Sequence, residues 1–269
     1  MLVILLGTGF PRPDPERAGP ATAIVVNGKV FIVDAGRGVV MRLAATGFPL
    51  KAVRAVFLTH LHSDHISGLP DLFTSTWIFG RATPLDLYGP KGTAKAARGL
   101  EQFFAEDIRI RRDLTEMQPA AGAKITAHTV KEGVVYQDTD VRVTAFAVDH
   151  RPVAPAFGYK FEAGGKTVVI SGDTRPSDNL VRFARGADVL VLEAYLPEHF
   201  DRVDTPEVAA RLKRYHTSAE EAGQMAQQAG VKLLVLTHLI PGDADQTFLD
   251  RAGKRFHGKI VVGRDLMRF

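Results

Sequence analysis

Short apolar runs rich in Val, Ile, Leu and Phe alternate with segments whose apolar residues recur at three- and four-residue spacing, and Gly, Pro or Asn separates most of them. That alternation predicts strands interleaved with helices. LVILL (2–6) reads as a first strand ended by Gly7. TAIVVNGKVFIV (22–33) holds two β-branched runs joined by Asn27-Gly28, both of which accept positive φ, and predicts an opening hairpin. Between them PRPDPERAGP (11–20) carries too much Pro for regular structure and predicts a surface loop at the rim of a site. Residues 37–45 predict a short helix closed by Gly47, 52–58 a strand, 67–79 a helix, 85–88 a strand and 93–104 a helix. Residues 107–119 form a charged segment, and strands are expected at 124–130 and 141–148. FGYKFEAGGKTVVISGD (157–173) predicts a second hairpin turning at Gly164-Gly165. A helix at 177–185, a strand at 188–192 reaching Glu193 and a helical excursion over 194–215 come next. They are followed by a helix at 217–229, whose Ser218 and Glu221 have capping-box spacing, a strand at 231–236, a further helix and a last strand at 259–262.

Leu58-Thr59-His60-Leu61 recurs as Leu236-Thr237-His238-Leu239, each time just after an apolar strand. With a hairpin early in each half, the echo predicts two similar halves facing each other across one site. Two sheets packed face to face still need cover on their outer faces, so the expected architecture is α/β, a four-layer αββα sandwich. The lone Trp77 is expected in the core. At 269 residues, 45% hydrophobic and 24% charged, the chain is expected to form a single domain over 1–269.

The polar residues that end these strands carry the chemistry. AVFLTHLHSDHISGLP (55–70) places His60, His62, Asp64 and His65 directly after an apolar run, and His150, Asp173 and His238 end other predicted strands. Five of the nine His are in this set. Imidazole and carboxylate ligate borderline divalent cations such as zinc, and a short turn after a strand aims alternate residues to opposite sides. The chain has no Cys, so neither disulfides nor thiolate zinc sites are available and any metal is held by His, Asp or Glu.

FLTHLHSDHISGL, the pair Asp149-His150, SGDT (171–174) and LTHL (236–239) together resemble the metallo-β-lactamase superfamily. LLGTG (5–9), VDAG (33–36) and SGDTRPS (171–177) are similar to its ribonuclease Z and zinc arylsulfatase branch. The resemblance implies two zinc ions, with manganese or iron as alternatives: His60, His62 and His150 on one, Asp64, His65 and His238 on the other, and Asp173 bridging. It implies a hydrolase that attacks with a metal-bridging hydroxide, Asp64 orienting the water. Asp34, Thr59 and Thr237 become candidate partners for the ligand imidazoles. His216-Thr217-Ser218 and Glu193 match positions at which ribonuclease Z uses a His, assisted by a Glu, to protonate the leaving oxygen; the competing role for His216 is helix capping or substrate positioning. His128, His199 and His257 are assigned to structure or surface.

Ribonuclease Z enzymes of the long-armed type carry a protruding tRNA grip between the counterparts of His150 and Asp173, where this chain has only a hairpin over 151–172. The favoured expectation is therefore a ribonuclease Z-like phosphodiesterase without the arm, acting on nucleic-acid or small phosphodiesters. A lactonase, β-lactamase or arylsulfatase acting on small molecules is the alternative, and a non-catalytic metal-binding protein the remote one. The net charge of +4 and pI near 9.3 are compatible with an anionic substrate, Arg109, Arg111 and Arg112 being the densest cationic cluster. With residues 194–215, that cluster is a candidate substitute for the arm. The N-terminal apolar run is too short for a signal segment and no later run is long enough to span a bilayer, so a cytoplasmic location is expected, and the resemblance adds a homodimer.

Overall fold

The computed structural model describes residues 1–203 and 205–269. Six strands form the first sheet, in the order of the chain: β1 (Leu2–Gly7), β2 (Ala21–Val26), β3 (Lys29–Val33), β4 (Val53–Phe57), β5 (Leu85–Gly89) and β6 (Ile125–Thr129). Its first two pairings are antiparallel and the rest parallel. The second sheet contains β7 (Gly133–Gln137), β8 (Arg142–His150), β9 (Val153–Ala163), β10 (Lys166–Ile170), β11 (Val189–Tyr195), β12 (Leu233–Ile240) and β13 (Lys259–Val262), in the order β13-β12-β11-β10-β9-β8-β7. There β10 to β13 are parallel and β7 to β10 antiparallel. Each sheet thus joins a hairpin to a parallel half, as the LTHL echo predicted. Asn27 and Gly28 take φ of 48° and 79°, and Gly164 and Gly165 take 56° and 72°, the left-handed values that two-residue hairpin loops need.

Three apolar layers account for four layers of structure. Phe31, Phe57, Tyr159, Phe161 and Val191 pack between the sheets. On the outer face of the first sheet lie α1 (Val39–Ala45), α2 (Ser63–Ile66), α3 (Leu69–Ile78), α4 (Thr93–Phe103) and α5 (Ala105–Ile110), with Leu43, Leu72, Phe73 and Trp77 buried against Leu85 and Leu87. On the outer face of the second, α6 (Asp178–Ala184), α9 (Ala219–Ala229) and α10 (Asp245–Gly253) bury Leu180, Met225 and Phe248 against Leu190 and Leu234, while α7 (Pro197–Val203) and α8 (Pro206–Leu212) form the excursion. The expected αββα sandwich is the observed one. Phe57 is the hub of the inter-sheet layer, 4.9 Å from the Tyr88 ring, 5.3 Å from Tyr159 and 5.6 Å from Phe161. Phe57→Ala should therefore lower unfolding free energy by about 3–5 kcal/mol in urea titrations, the usual result of emptying so large a buried site.

Three departures from expectation concern the site. The helix expected over 67–79 is α3, and a further helical turn that was not expected, α2, precedes it, so Asp64 and His65 ride on a helical turn. The break falls at Gly68, where a Cβ would stand 2.1 Å from the Gly36 carbonyl oxygen; that close approach docks the turn onto the end of β3. Next, β8 and β12 run past their predicted ends to include His150 and His238. Finally, β12 carries a bulge, because Glu193 pairs with Thr237 and Ala194 with Leu239, leaving His238 unmatched at φ 46°. An inserted residue of this kind re-aims its side chain.

Candidate metal centre

All seven predicted ligands meet where strands of both sheets end. On one side the Nε2 of His60 lies 3.0 Å from His62 Nδ1, His150 Nε2 lies 3.4 Å from that same atom, and Asp173 Oδ2 lies 3.8 and 3.9 Å from the His60 and His150 nitrogens. On the other, His65 Nε2 is 3.3 Å from Asp173 Oδ1 and 3.6 Å from Asp64 Oδ2, and His238 Nε2 is 3.3 Å from Asp64 Oδ2. Asp173 stands between the two groups and belongs to both. Apart from half-buried His62, these side chains are buried.

Hydrogen bonds behind the rings fix which nitrogen faces inward. Thr59 Oγ1 donates to Asp34 Oδ2 at 2.8 Å, so its oxygen accepts from His60 Nδ1 at 3.0 Å and leaves the Nε2 lone pair aimed into the cluster. The Tyr215 carbonyl accepts from His150 Nδ1 at 2.9 Å, and Asp34 Oδ2 accepts from His65 Nδ1 at 2.7 Å, with the same result. Of the anticipated supports, Asp34 and Thr59 fill that role, but the third is the Tyr215 carbonyl and not Thr237. Asp34, at φ 59°, serves both groups at once, reaching His60 through Thr59 and His65 directly. Asp34→Asn is expected to weaken metal affinity about 10–100-fold, measured by competition with a chromogenic chelator, while the chain stays folded.

The donor set fits divalent cations. Burial, with His65 nearby, pushes His60 well below the ordinary imidazole pKa; burial lowers His62 too and takes His150 to about 4. These three rings are neutral donors at neutral pH. Burial would push the Asp173 carboxyl up, but His238 and His65 hold it well down, and His238 holds Asp64 down against the same opposition. Against burial, Asp173 raises both His65 and His238, Asp34 adding to the effect on His65. Buried carboxylates here demand positive charge. His65 Nε2 and Asp173 Oδ1, though close, are not aligned to bond, and both lack a hydrogen-bond partner, as does His238 Nδ1. Converging lone pairs, anionic carboxylates and orphaned buried atoms are what a metal ion resolves.

His216 and Glu193 adjoin this cluster. Glu193 Oε2 accepts from His216 Nδ1 at 2.7 Å, and Glu193 Oε1 accepts from the Thr174 backbone N–H. Burial raises the Glu193 carboxyl well above its usual range, helped by Asp173, and burial lowers His216. Oriented from behind by Glu193, His216 presents its other nitrogen to a cavity of about 330 Å³ above the cluster. His62, Asp64, Asp173 and His238 form the floor of that cavity, and Phe10, Phe200, Leu212 and Ile240 make apolar walls. The loop at 11–20 supplies Pro11 and Arg12 to the rim, as expected. Arg37 Nη2 pins it by donating to the carbonyls of Phe10 and Arg12 at 2.7 and 2.6 Å. His199, assigned to structure or surface from sequence, also lines the cavity, because α7 folds back over it. Nothing around His199 in the sequence signals this: its place depends on the path of residues 194–215.

The Arg109, Arg111 and Arg112 cluster is not a free basic patch. Arg109 pairs with Glu106, Arg111 with Asp107 and Glu116, and Arg112 with Asp113, so each charge is matched locally.

An αββα sandwich that gathers His and Asp from both sheets into one buried cluster able to hold divalent cations defines the class of metal-dependent hydrolases with the metallo-β-lactamase fold. Residues 29–239 match the family model described as β-lactamase superfamily domain. Ribonuclease Z of Mycobacterium sp. (strain KMS) is 41% identical over 280 residues, covering 99% of this chain and 94% of that protein, and ribonuclease Z of Mycobacterium bovis (strain BCG / Pasteur 1173P2) is 38% identical over 276, covering 99% and 96%. Among solved structures, a metallo-β-lactamase fold protein from Bacillus subtilis superposes with TM-score 0.77 at 21% identity, covering 100% of this chain and 98% of that one. The short form of human tRNase Z gives 0.72 at 24%, with the same coverage. The chain belongs to the ribonuclease Z family of the β-lactamase superfamily, metal-dependent phosphodiesterases, and its His and Asp cluster is a divalent-metal site. No helix among the described residues is long and apolar enough to cross a membrane.

Proposed function

We propose that this chain cleaves RNA phosphodiester bonds with two zinc ions, manganese or iron being able to replace them. His60, His62 and His150 hold the first, Asp64, His65 and His238 the second, and Asp173 both. The observation that carries the reading is the pair of nitrogen- and carboxylate-lined nests on either side of Asp173, facing the same cavity as the His216–Glu193 pair. When bound, the cations supply an acidified water near neutral pH and neutralise charge developing on the phosphoryl group.

The chain's own groups do the rest. The hydrogen bonds from behind hold the imidazoles of His60, His65 and His150 in the tautomer that ligates. Asp64 Oδ2, beside His238 and at the cavity floor, is placed to accept a hydrogen bond from the attacking water and so align it. Glu193 keeps His216 oriented, and the His216 Nε2 proton passes to the leaving oxygen. Apolar walls hold the nucleoside and exclude bulk water, which strengthens every charge interaction in the cavity.

A panel on one metal-quantified preparation tests the reading: a pre-tRNA, bis-nitrophenyl phosphate, a homoserine lactone, nitrocefin and an aryl sulfate. Cleavage of the phosphodiesters above the others is expected. The apolar cavity and the short hairpin in place of an arm support a second reading, a small-molecule hydrolase; preference for lactone, lactam or sulfate would replace the first reading with it. An RNA substrate accords with a cytoplasmic location, tested by fractionation, and the homodimer by light scattering in solution.

A further inference from the structure

At the end of the sandwich opposite the metal centre, a cavity of about 680 Å³ opens between the β2–β3 turn, the start of β4, the segment after α3 and β7. It lies roughly 20 Å from the centre, since seven extended residues separate Val53 from His60 at about 3.3 Å each. Four cationic residues from separate segments line it: Lys29, Lys51, Arg54 and Arg81.

Little negative charge is left to answer them. The ion pairs at this end are those of Lys29 with Asp138 and Asp140, both at 2.7 Å. Asp138 is also fully engaged by the Tyr136 hydroxyl at 2.9 Å and the backbone N–H groups of Asp140 and Val141 at 2.8 and 3.0 Å. Among the described residues Lys51 and Arg54 have no ion pair; Arg54 lies beside the Tyr136 hydroxyl, with Asp138 within electrostatic reach. Asp86 is within electrostatic reach of Arg54, yet its carboxylate is committed to His128 at 2.9 Å. Arg81 is buried and bonds only neutral acceptors, the Thr76 hydroxyl and the carbonyls of Thr83 and Phe73. Burial pushes its pKa down to about 10, and Asp86, the carboxylate within electrostatic reach, only partly offsets that.

The geometry points to a second anion site here, one that takes a phosphate-bearing ligand on Lys51 and Arg54 with the Arg81 charge beneath. Arg54 offers the forked donors that phosphate oxygens accept and Lys51 a mobile point charge. The volume admits a nucleotide or a backbone phosphate with its sugar. The site is independent of the chemistry at the metal centre.

Equilibrium dialysis of labelled pyrophosphate against the metal-loaded enzyme tests this. The wild type should bind one equivalent more than the double variant Lys51→Glu, Arg54→Glu, whose turnover of bis-nitrophenyl phosphate and circular dichroism should match the wild type. Lys51→Gln alone should weaken that equivalent by at least about tenfold, the order of one charge-assisted contact. Equal stoichiometry and affinity in all three proteins would overturn the site. Its natural occupant is separated by KM: a rise for a long structured RNA in the double variant, with kcat unchanged and pyrophosphate competing, identifies an RNA backbone phosphate. An unchanged RNA KM with the extra equivalent still lost identifies a free phosphate or nucleotide.

Discussion

Asp173→Asn should lower turnover of bis-nitrophenyl phosphate by more than about 10³-fold, beyond what loss of a single preorganised donor costs, because it removes charge and not shape. The amide keeps the volume and can still accept hydrogen bonds, but the two nests lose the one anion they share. In the folded protein Asp173 lies 3.3 to 3.9 Å from nitrogens of His65, His238, His60 and His150, so among the described residues no other single one touches both groups as widely. Metal content, measured by plasma mass spectrometry after gel filtration, should fall in parallel. Full metal content with full activity would refute the shared-carboxylate arrangement. Metal retained with activity lost would instead assign Asp173 to the chemical step alone.

His216→Ala should behave differently: two metals per chain retained, and turnover of RNA reduced by about 10²–10⁴-fold, the range for loss of a positioned proton donor. His216, Glu193, His150 and Asp173 also lie close enough together to hold an ion themselves, so metal loss in this variant would make His216 a ligand. The dependence on leaving group separates the roles. A nitrophenolate departs without help, so bis-nitrophenyl phosphate should lose far less than RNA, whose alkoxide needs a proton. The pH profile supplies the sign. An acid must be protonated to act, so wild-type RNA cleavage should decline on the alkaline side, and the variant should lose that decline. Glu193→Gln should give a smaller defect of the same kind, since the ring keeps an acceptor for Nδ1 but loses the titratable group behind it.

Much of the candidate site was legible because its proposed ligands follow strands. The period-two apolar runs locate strand ends, and a His or Asp just past each one is visible without any structure. What was not legible depends on long-range chain paths. The Tyr215 carbonyl that orients His150 is a backbone atom with no residue signature. Phe10 and Phe200 become walls only when the loop after β1 and α7 converge, and His199 faces the cavity for the same reason. β7 was missed because it is a short edge strand, half-exposed along its length, whose apolar run is only Val134-Val135-Tyr136. The Arg109–Arg112 segment misled in the opposite way: its charges stand out in the sequence, while Glu106, Asp107, Asp113 and Glu116 that cancel them are scattered through the same helical turns.

The two copies of LTHL deliver their imidazoles by different means. His60 comes from chain that has already left β4, whereas His238 comes from a length mismatch between neighbours, β12 spending one more residue than β11 over the same span. The position of that ligand is therefore encoded as a count and not as a letter. A single residue inserted after Glu193 would cancel the difference with every LTHL letter intact, and the period-two alternation of a regular strand would turn His238 away from Asp64. Insertions and deletions in β11 should thus be as damaging to the second cation site as substitution of His238 itself, and alignments of this family that slide a gap through β11 would misplace a ligand while appearing to conserve it.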